Sequence, residues 1–276
     1  MSTRAPLGSR RILAIGGGGF TGSVADGPLD HFVAALPGVE RPRICLLPTA
    51  SGDPDDQIER FYHAFRGLGR LSHLSLFRLG TRAVSPREHL LAQDVIYVGG
   101  GSLANLLAIW RVHALDETLT EAWERGIVLC GVSAGSMCWF EDAVTRSHGR
   151  SRTARGLGLL PGSNSVHYSS DPERRACYRT AILDGLPAGY GADDGVGLLF
   201  AGRDLADVVS ARPDARAWRV HADEGRLVEL SLSPRLLKPM PGAGHDAPVE
   251  IAEIRDARRA RQAGARRSRP ASGGPV

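Results

Sequence analysis

The strongest constraint on the fold is a run of short apolar segments that repeats with helix-compatible stretches in between. Ile12 to Ile15, Ile44 to Leu47, Leu74 to Leu79, Val95 to Val98 and Ile127 to Cys130 are all of strand length and rich in Ile, Leu and Val. Most are apolar at consecutive positions rather than at every second one, so both faces of the strand have to be covered. The covering segments include Gln57 to Leu68, which places Ile58, Phe61, Phe65 and Leu68 on one helical face, and Leu115 to Arg125. A β-α alternation of this kind predicts an α/β fold with a doubly wound, mostly parallel sheet. In such sheets ligands bind beyond the carboxyl ends of the strands. Four of the runs end there in glycine or small polar residues: Gly16 to Gly19, Pro48 to Gly52, Gly99 to Ser102 and Gly131 to Gly135.

Further along, Arg146 to Leu160 reads as a polar surface loop, and Ser163 to Ser170 as an extended stretch carrying His167. Asp171-Pro172-Glu173 has the order of N-cap, N1 proline and acidic first turn, which starts a helix running to about Asp184. Gly195 to Ala201 and Ala206 to Val209 read as strands, and Trp218 to Asp223 with Arg226 to Leu232 as a hairpin about Glu224-Gly225. Residues 1–233 are expected to form one α/β domain, and the Pro, Gly and Arg content of 234–276 predicts a flexible tail. The formal charge of +4 is misleading, because seven arginines crowd the last 22 residues and the rest is slightly acidic. That argues against a nucleic-acid partner.

Cys45, Cys130, Cys138 and Cys177 form no C-x-x-C pair, and no histidine stands at zinc-ligand spacing, so neither metal nor cofactor is expected. No apolar stretch approaches membrane-spanning length and no export signal is legible, which points to a cytoplasmic protein with reduced thiols.

The chemistry centres on Gly131-Val132-Ser133-Ala134-Gly135, between an apolar strand and the helix-compatible segment Ser136 to Phe140. A serine on a sharp strand-to-helix turn, with glycines two residues before and after, has the pattern of a nucleophile elbow and suits a covalent acyl-enzyme. A serine hydroxyl needs a general base, and the base needs an orienting carboxylate. Of nine histidines, His167 stands out because it ends an extended stretch that can return to the crevice; His148, in the polar loop, is a weaker rival. The acid is open among Asp194 and Asp193, at the mouth of a strand, and Asp142, at the end of the elbow helix. Backbone donors for an oxyanion are expected at Ala134 and Gly101. Gly17-x-Gly19-x-x-Gly22 formally matches a dinucleotide fingerprint. The second strand, however, ends in Pro48-Thr49-Ala50-Ser51 rather than in the acid that holds a ribose.

Taken together, these residues resemble the peptidase E family of serine peptidases, family S51, which includes aspartyl dipeptidase and its relative cyanophycinase. The likeness rests on Ile15-Gly-Gly-Gly-Gly-Phe20, Leu47-Pro-Thr-Ala-Ser51, Tyr97-Val-Gly-Gly-Gly-Ser102 with Asn105-Leu-Leu107, Gly131 to Phe140, Gly156-Leu-Gly-Leu-Leu-Pro161 leading to His167, and Asp193-Asp-Gly195. It implies a fold like the class I glutamine amidotransferase (flavodoxin-like) domains, with Ser133 as nucleophile in place of a cysteine and His167 as base. The family's acid is often a glutamate before a small residue, and Asp194 matches that position with a shorter side chain. Serine at 102 replaces a common asparagine, which bears on specificity.

The resemblance implies cleavage after an N-terminal aspartate, as in Asp-X dipeptides, whose small carboxylate calls for a cation. Arg174 and Arg175 are the first candidates and Arg146 another. Cyanophycinase-like hydrolysis of aspartyl or isoaspartyl bonds, and a non-catalytic binding protein on the same scaffold, are the alternatives.

Overall fold

A computed structural model of the chain describes residues 5–22, 27–81, 85–147 and 149–238. His148, His245 and the arginine-rich segment lie outside the described residues. The first half runs β1 (Arg11–Ile15), α1 (Gly27–Ala35), β2 (Arg43–Leu47), α2 (Asp55–Ala64), β3 (Arg70–His73), α3 (Pro86–Leu91), β4 (Val95–Val98), α4 (Leu103–Val112), α5 (Leu115–Glu124) and β5 (Val128–Val132). A single-turn helix α6 (Ala134–Met137) leads into β6 (Phe140–Thr145), β7 (Arg152–Arg155) and β8 (Leu160–Val166). The chain continues through α7 (Pro172–Leu183), β9 (Gly189–Ala192), β10 (Val196–Ala201) and β11 (Asp204–Ser210). It ends in β12 (Ala217–Asp223), β13 (Arg226–Leu232) and β14 (Arg235–Leu236).

The strands form two sheets. The first has eight strands in the order β14-β11-β10-β1-β5-β4-β2-β3, the second six in the order β13-β12-β9-β8-β6-β7. From β1 to β3 the first sheet is parallel throughout, and β10 joins β1 antiparallel. The consecutive apolar positions divide as a doubly covered sheet requires. Ile12, Ala14, Cys45, Leu47, Ile96 and Val98 enter one core, whereas Leu13, Ile15, Ile44, Leu46, Val95 and Tyr97 enter another. The expected mixed α/β class is what forms. After the elbow the chain divides: β10, β11 and β14 extend the first sheet beyond β1, whereas β6 to β9 with β12 and β13 build a second one that shares the first core through Phe140, Leu160, Val166 and Ala192.

Three local expectations need correction. The strand expected at Leu74 to Leu79 lies earlier, at β3, an edge strand paired only with β2. Its Arg-Leu-Ser-His sequence carries the weak, half-exposed pattern of an edge, while buried Leu74 and Leu76 lie just beyond it and mimic a strand. The elbow helix stops at Met137, so Asp142 lies on β6 rather than at a helix end. The polar stretch Arg146 to Leu160 contains β7, paired antiparallel with β6. The hairpin of β12 and β13 turns at Glu224 (φ 46) and Gly225 (φ 73), the two positive angles that a tight hairpin turn demands.

Candidate active site

β5 delivers Ser133 at the centre of the first sheet, with φ 54 and ψ −110. An L-residue reaches such angles only when its surroundings enforce them. Ser133 N–H donates to the Ile15 carbonyl of neighbouring β1 at 3.0 Å, and the Ser133 carbonyl accepts from the Ser136 and Met137 amides, each at 3.0 Å. A Cβ at Gly131 would overlap the Gly135 carbonyl, and one at Gly135 would lie 2.8 Å from the Val98 carbonyl carbon. Both glycines are therefore needed for α6 to cross so close to β5 and β4. The turn holds the serine side chain half-exposed while its flanks are buried.

His167 follows the last residue of β8 and also has a positive φ of 54. Its Nε2 lies 2.9 Å from Ser133 Oγ, and its Nδ1 hydrogen-bonds Asp194 Oδ1. The imidazole and the carboxylate are 31% and 30% exposed, so the chain opens to solvent at one edge. Ser170 Oγ donates to the other oxygen, Asp194 Oδ2, at 3.1 Å, a contact not read from the sequence.

The two neighbouring acids separate completely. Asp193 faces the other way and is buried, its Oδ1 accepting from Ser169 N–H at 2.8 Å and its Oδ2 from Arg216 N–H at 3.0 Å. It clasps the turn after His167 to the residue that leads into β12. Asp142 on β6 lies 3.8 Å from Arg155 across the β6–β7 pair, away from the imidazole's carboxylate partner.

The hydrogen bond from His167 holds the Asp194 carboxyl below the ordinary carboxylate value. Burial opposes this, while the imidazole's charge, Ser170 and Arg212 reinforce it. Because the folded-state value is depressed, the unfolded chain protonates first. The resulting stability is complete above the ordinary carboxylate value of about 4 and is lost as pH falls through the folded value. Thermal melts of wild type and Asp194→Asn should accordingly converge as pH is lowered from 6 through the acid range; a constant Tm gap would contradict this.

On the other side of Ser133, the loop after β4 presents Gly99 to Gly101. Gly100 backs onto the serine, where a Cβ would lie 3.3 Å from Ser133 Cβ, and Gly101 has φ 144 with no room for a side chain against Ala50. Ala134 opens α6, so its N–H has no intrahelical acceptor. Among the described residues neither the Ala134 nor the Gly101 N–H has a backbone partner. Ser102 caps α4, its Oγ accepting from Asn105 N–H at 3.2 Å. A pocket of about 270 Å³ opens at Ser133 and is lined by Gly101, Ser102, Met137, Thr145, Arg146, Ser147 and Arg174.

The candidate arginines take different places. Arg174 is 9% exposed and lines the pocket. Its guanidinium gives one hydrogen bond to the Val166 carbonyl at 3.3 Å, and Nε lies 3.4 Å from Asp171 Oδ2 without hydrogen-bond geometry, leaving it unsatisfied. Burial lowers its pKa from the ordinary arginine value, with Asp171 opposing. Arg146 lines the rim, paired with Asp171 at 3.2 Å and Glu173 at 3.6 Å. Arg175, one position further along α7, is turned onto the second sheet. It lies over the rings of Tyr168 and Trp218, 4.8 and 5.3 Å from their centroids, and pairs with Glu229 at 3.2 Å. It is not among the pocket-lining residues, so of the two adjacent arginines only Arg174 stands at the site.

A hydroxyl, an imidazole and a carboxylate bonded in series, beside unpaired backbone N–H groups, can perform acyl transfer to water. Comparison with known proteins agrees. Residues 12–208 match the model of peptidase family S51. The peptidase YgaJ of Bacillus subtilis (strain 168), described as uncharacterized, is 43% identical over 230 residues, 83% of this chain and 99% of its own length. A crystal structure of a peptidase from an acI-B1 Actinobacterium superposes with a TM-score of 0.62 at 20% identity, over 81% of this chain and 94% of its own. A peptidase E protein from Listeria monocytogenes EGD-e does so at 0.53 and 18% identity, over 73% and 98%. The two solved structures share the fold, while the family match and the B. subtilis relative carry the membership: this chain belongs to peptidase family S51, a family of serine peptidases.

Proposed function

We propose that the protein is a serine exopeptidase of the dipeptidase E type, cleaving the bond after an N-terminal aspartate. The observation that carries the specificity is Arg174, a buried guanidinium whose Nε has no hydrogen-bond partner, lining the pocket that opens at Ser133. Asp171 Oδ2, 3.4 Å from Nε, offsets the charge without hydrogen-bonding the guanidinium, and the aspartyl carboxylate of a substrate is an anion of the right size for a pocket of about 270 Å³.

In this reading Ser133 Oγ attacks the scissile carbonyl while His167 Nε2 takes its proton, and Asp194 steadies the imidazolium through Nδ1. The negative oxygen of the tetrahedral intermediate is met by the Ala134 and Gly101 N–H groups. His167 then returns the proton to the leaving amine, and water repeats the sequence on the acyl-enzyme. Thiol chemistry is disfavoured nearby, because burial raises the pKa of the Cys130 and Cys138 thiols well above the ordinary value. The four cysteines, none of them in a disulfide, suit a reducing, cytoplasmic setting. No helix among the described residues is long and apolar enough to cross a membrane.

The test is a panel of Asp-X, isoAsp-X and Asn-X dipeptides. Wild type should prefer Asp-X over Asn-X. Arg174→Met should cut that preference about 10- to 100-fold, the loss expected for charged hydrogen bonds of about 1.5–3 kcal/mol. Equal rates on Asn-X and Asp-X in wild type would overturn the carboxylate pocket. Faster turnover of isoAsp-X would instead favour cyanophycinase-like chemistry at the same serine.

A further inference from the structure

The glycine run after β1 has no part in the chemistry above, although its spacing is that of a phosphate-binding loop. Its backbone is already committed. Gly16 N–H donates to the Val196 carbonyl at 2.9 Å, Gly195 N–H donates to the Gly17 carbonyl at 2.8 Å, and Gly17 pairs with Asp194 as a parallel bridge. Phe20 pins the far end of the loop, 6% exposed, with its ring edge-on to Tyr97 at 5.1 Å and Phe61 at 5.7 Å. Between these anchors Gly17 lies flat against the reacting groups. A Cβ built there would overlap Asp194 Oδ1, stand 2.9 Å from Asp194 Cγ and come within 2.7 Å of His167 Cε1. Asp194 Oδ1 is also the oxygen that His167 Nδ1 engages. Gly16 differs from its neighbour: the nearest atoms to a Cβ there belong to the backbone of Ala192 and Asp193.

We propose that Gly17 is a positioning residue for the peptidase reaction: its bare Cα is the wall against which the His167–Asp194 pair is aligned, and any side chain there displaces the carboxylate from the imidazole. The inference rests on the reading of Ser133, His167 and Asp194 as a working series. On the first sheet, the loop after β1 supplies this wall just as the loop after β5 supplies the serine, so one sheet edge sets both ends of the proton path. Gly17 touches neither the substrate pocket nor Ser133's donors, and its effect is on the turnover step alone.

The test is a double-mutant cycle between Gly17→Ala and Asp194→Ala, read by kcat and KM on the best dipeptide and by thermal melts. Gly17→Ala alone should lower kcat at least about 100-fold with KM changed less than about threefold, because the imidazole loses its carboxylate. In the Asp194→Ala background only the contact with His167 Cε1 remains, and the same change should cost at least about tenfold less than it does in wild type. Equal cost in both backgrounds, or wild-type kcat in Gly17→Ala, overturns the proposal. If Gly17→Ala does not fold, the double variant should recover a cooperative melt; failure of both to fold also overturns it. Wild-type activity in Asp194→Ala would remove the proton-path reading itself, and this inference with it, whereas a large Asp194→Ala loss with an additive Gly17→Ala loss removes this inference only.

Discussion

Ser133→Ala is expected to lower kcat/KM on the preferred dipeptide by about 100,000-fold, to a residue of activity supplied only by binding and the oxyanion donors. The size follows from the geometry. The hydroxyl is the only part of Ser133 that the change removes, and it stands 2.9 Å from His167 Nε2, whereas the Ser170 hydroxyl reaches the far oxygen of Asp194 rather than the imidazole. The backbone turn is fixed by other contacts: the amide bond to Ile15, the two amides accepted by the Ser133 carbonyl, and the crossing of Gly131 and Gly135. Ser133→Ala should therefore melt within a few degrees of wild type. Ser133→Gly should be as inactive yet melt higher, because glycine adopts φ 54 without the strain that a side chain brings. Activity within tenfold of wild type in either variant would show that the acyl group is not carried by this residue.

Asp194→Asn is expected to lower kcat by about 10,000-fold, the loss seen when a Ser-His-Asp series keeps its shape but loses the charge that fixes the imidazole tautomer. The neighbouring acids give contrasting results. Asp193→Asn leaves the imidazole's carboxylate in place but turns one of the two side-chain oxygens that accept backbone N–H groups into a donor facing an N–H. It should cost about 1–3 kcal/mol of stability, read as a lower Tm, with kcat far less affected than by Asp194→Asn. Asp142→Asn removes only a 3.8 Å contact with an arginine whose side chain is 79% exposed, and both measurements should stay near wild type. If Asp193→Asn or Asp142→Asn gave the large kcat loss and Asp194→Asn did not, the carboxylate would have been misassigned.

These contrasts mark where local sequence stops informing. The doubly covered sheet was legible in the consecutive apolar positions of β1, β2, β4 and β5, and the elbow in the small residues around Ser133, because strand burial and tight turns are local properties. The start of α7 was equally legible: Asp171 accepts from Arg174 N–H at 3.1 Å, as its place before a proline implies. Asp193 and Asp194 are indistinguishable by composition, and the link between β9 and β10 alone decides which one meets the imidazole 27 residues away.

Arg174 and Arg175 differ for a similar reason. Adjacent positions on a helix point about 100° apart, and which one faces the pocket depends on how α7 lies on the second sheet, a sheet not foreseen from the sequence. The glycine run shows the same limit from the other side. Its spacing is that of a nucleotide loop, but what it approaches is a histidine and an aspartate from distant parts of the chain.

The central claim is that Ser133, activated by His167, forms the covalent intermediate. The most direct measurement is to incubate the protein with a serine-reactive fluorophosphonate and locate the adduct by intact mass and peptide mapping. The expected result is one adduct per chain, on Ser133, with loss of dipeptide turnover in proportion to labelling, strongly slowed labelling in His167→Gln and none in Ser133→Ala. Turnover that persists after complete labelling, or an adduct on another residue that accounts for the inhibition, would contradict it.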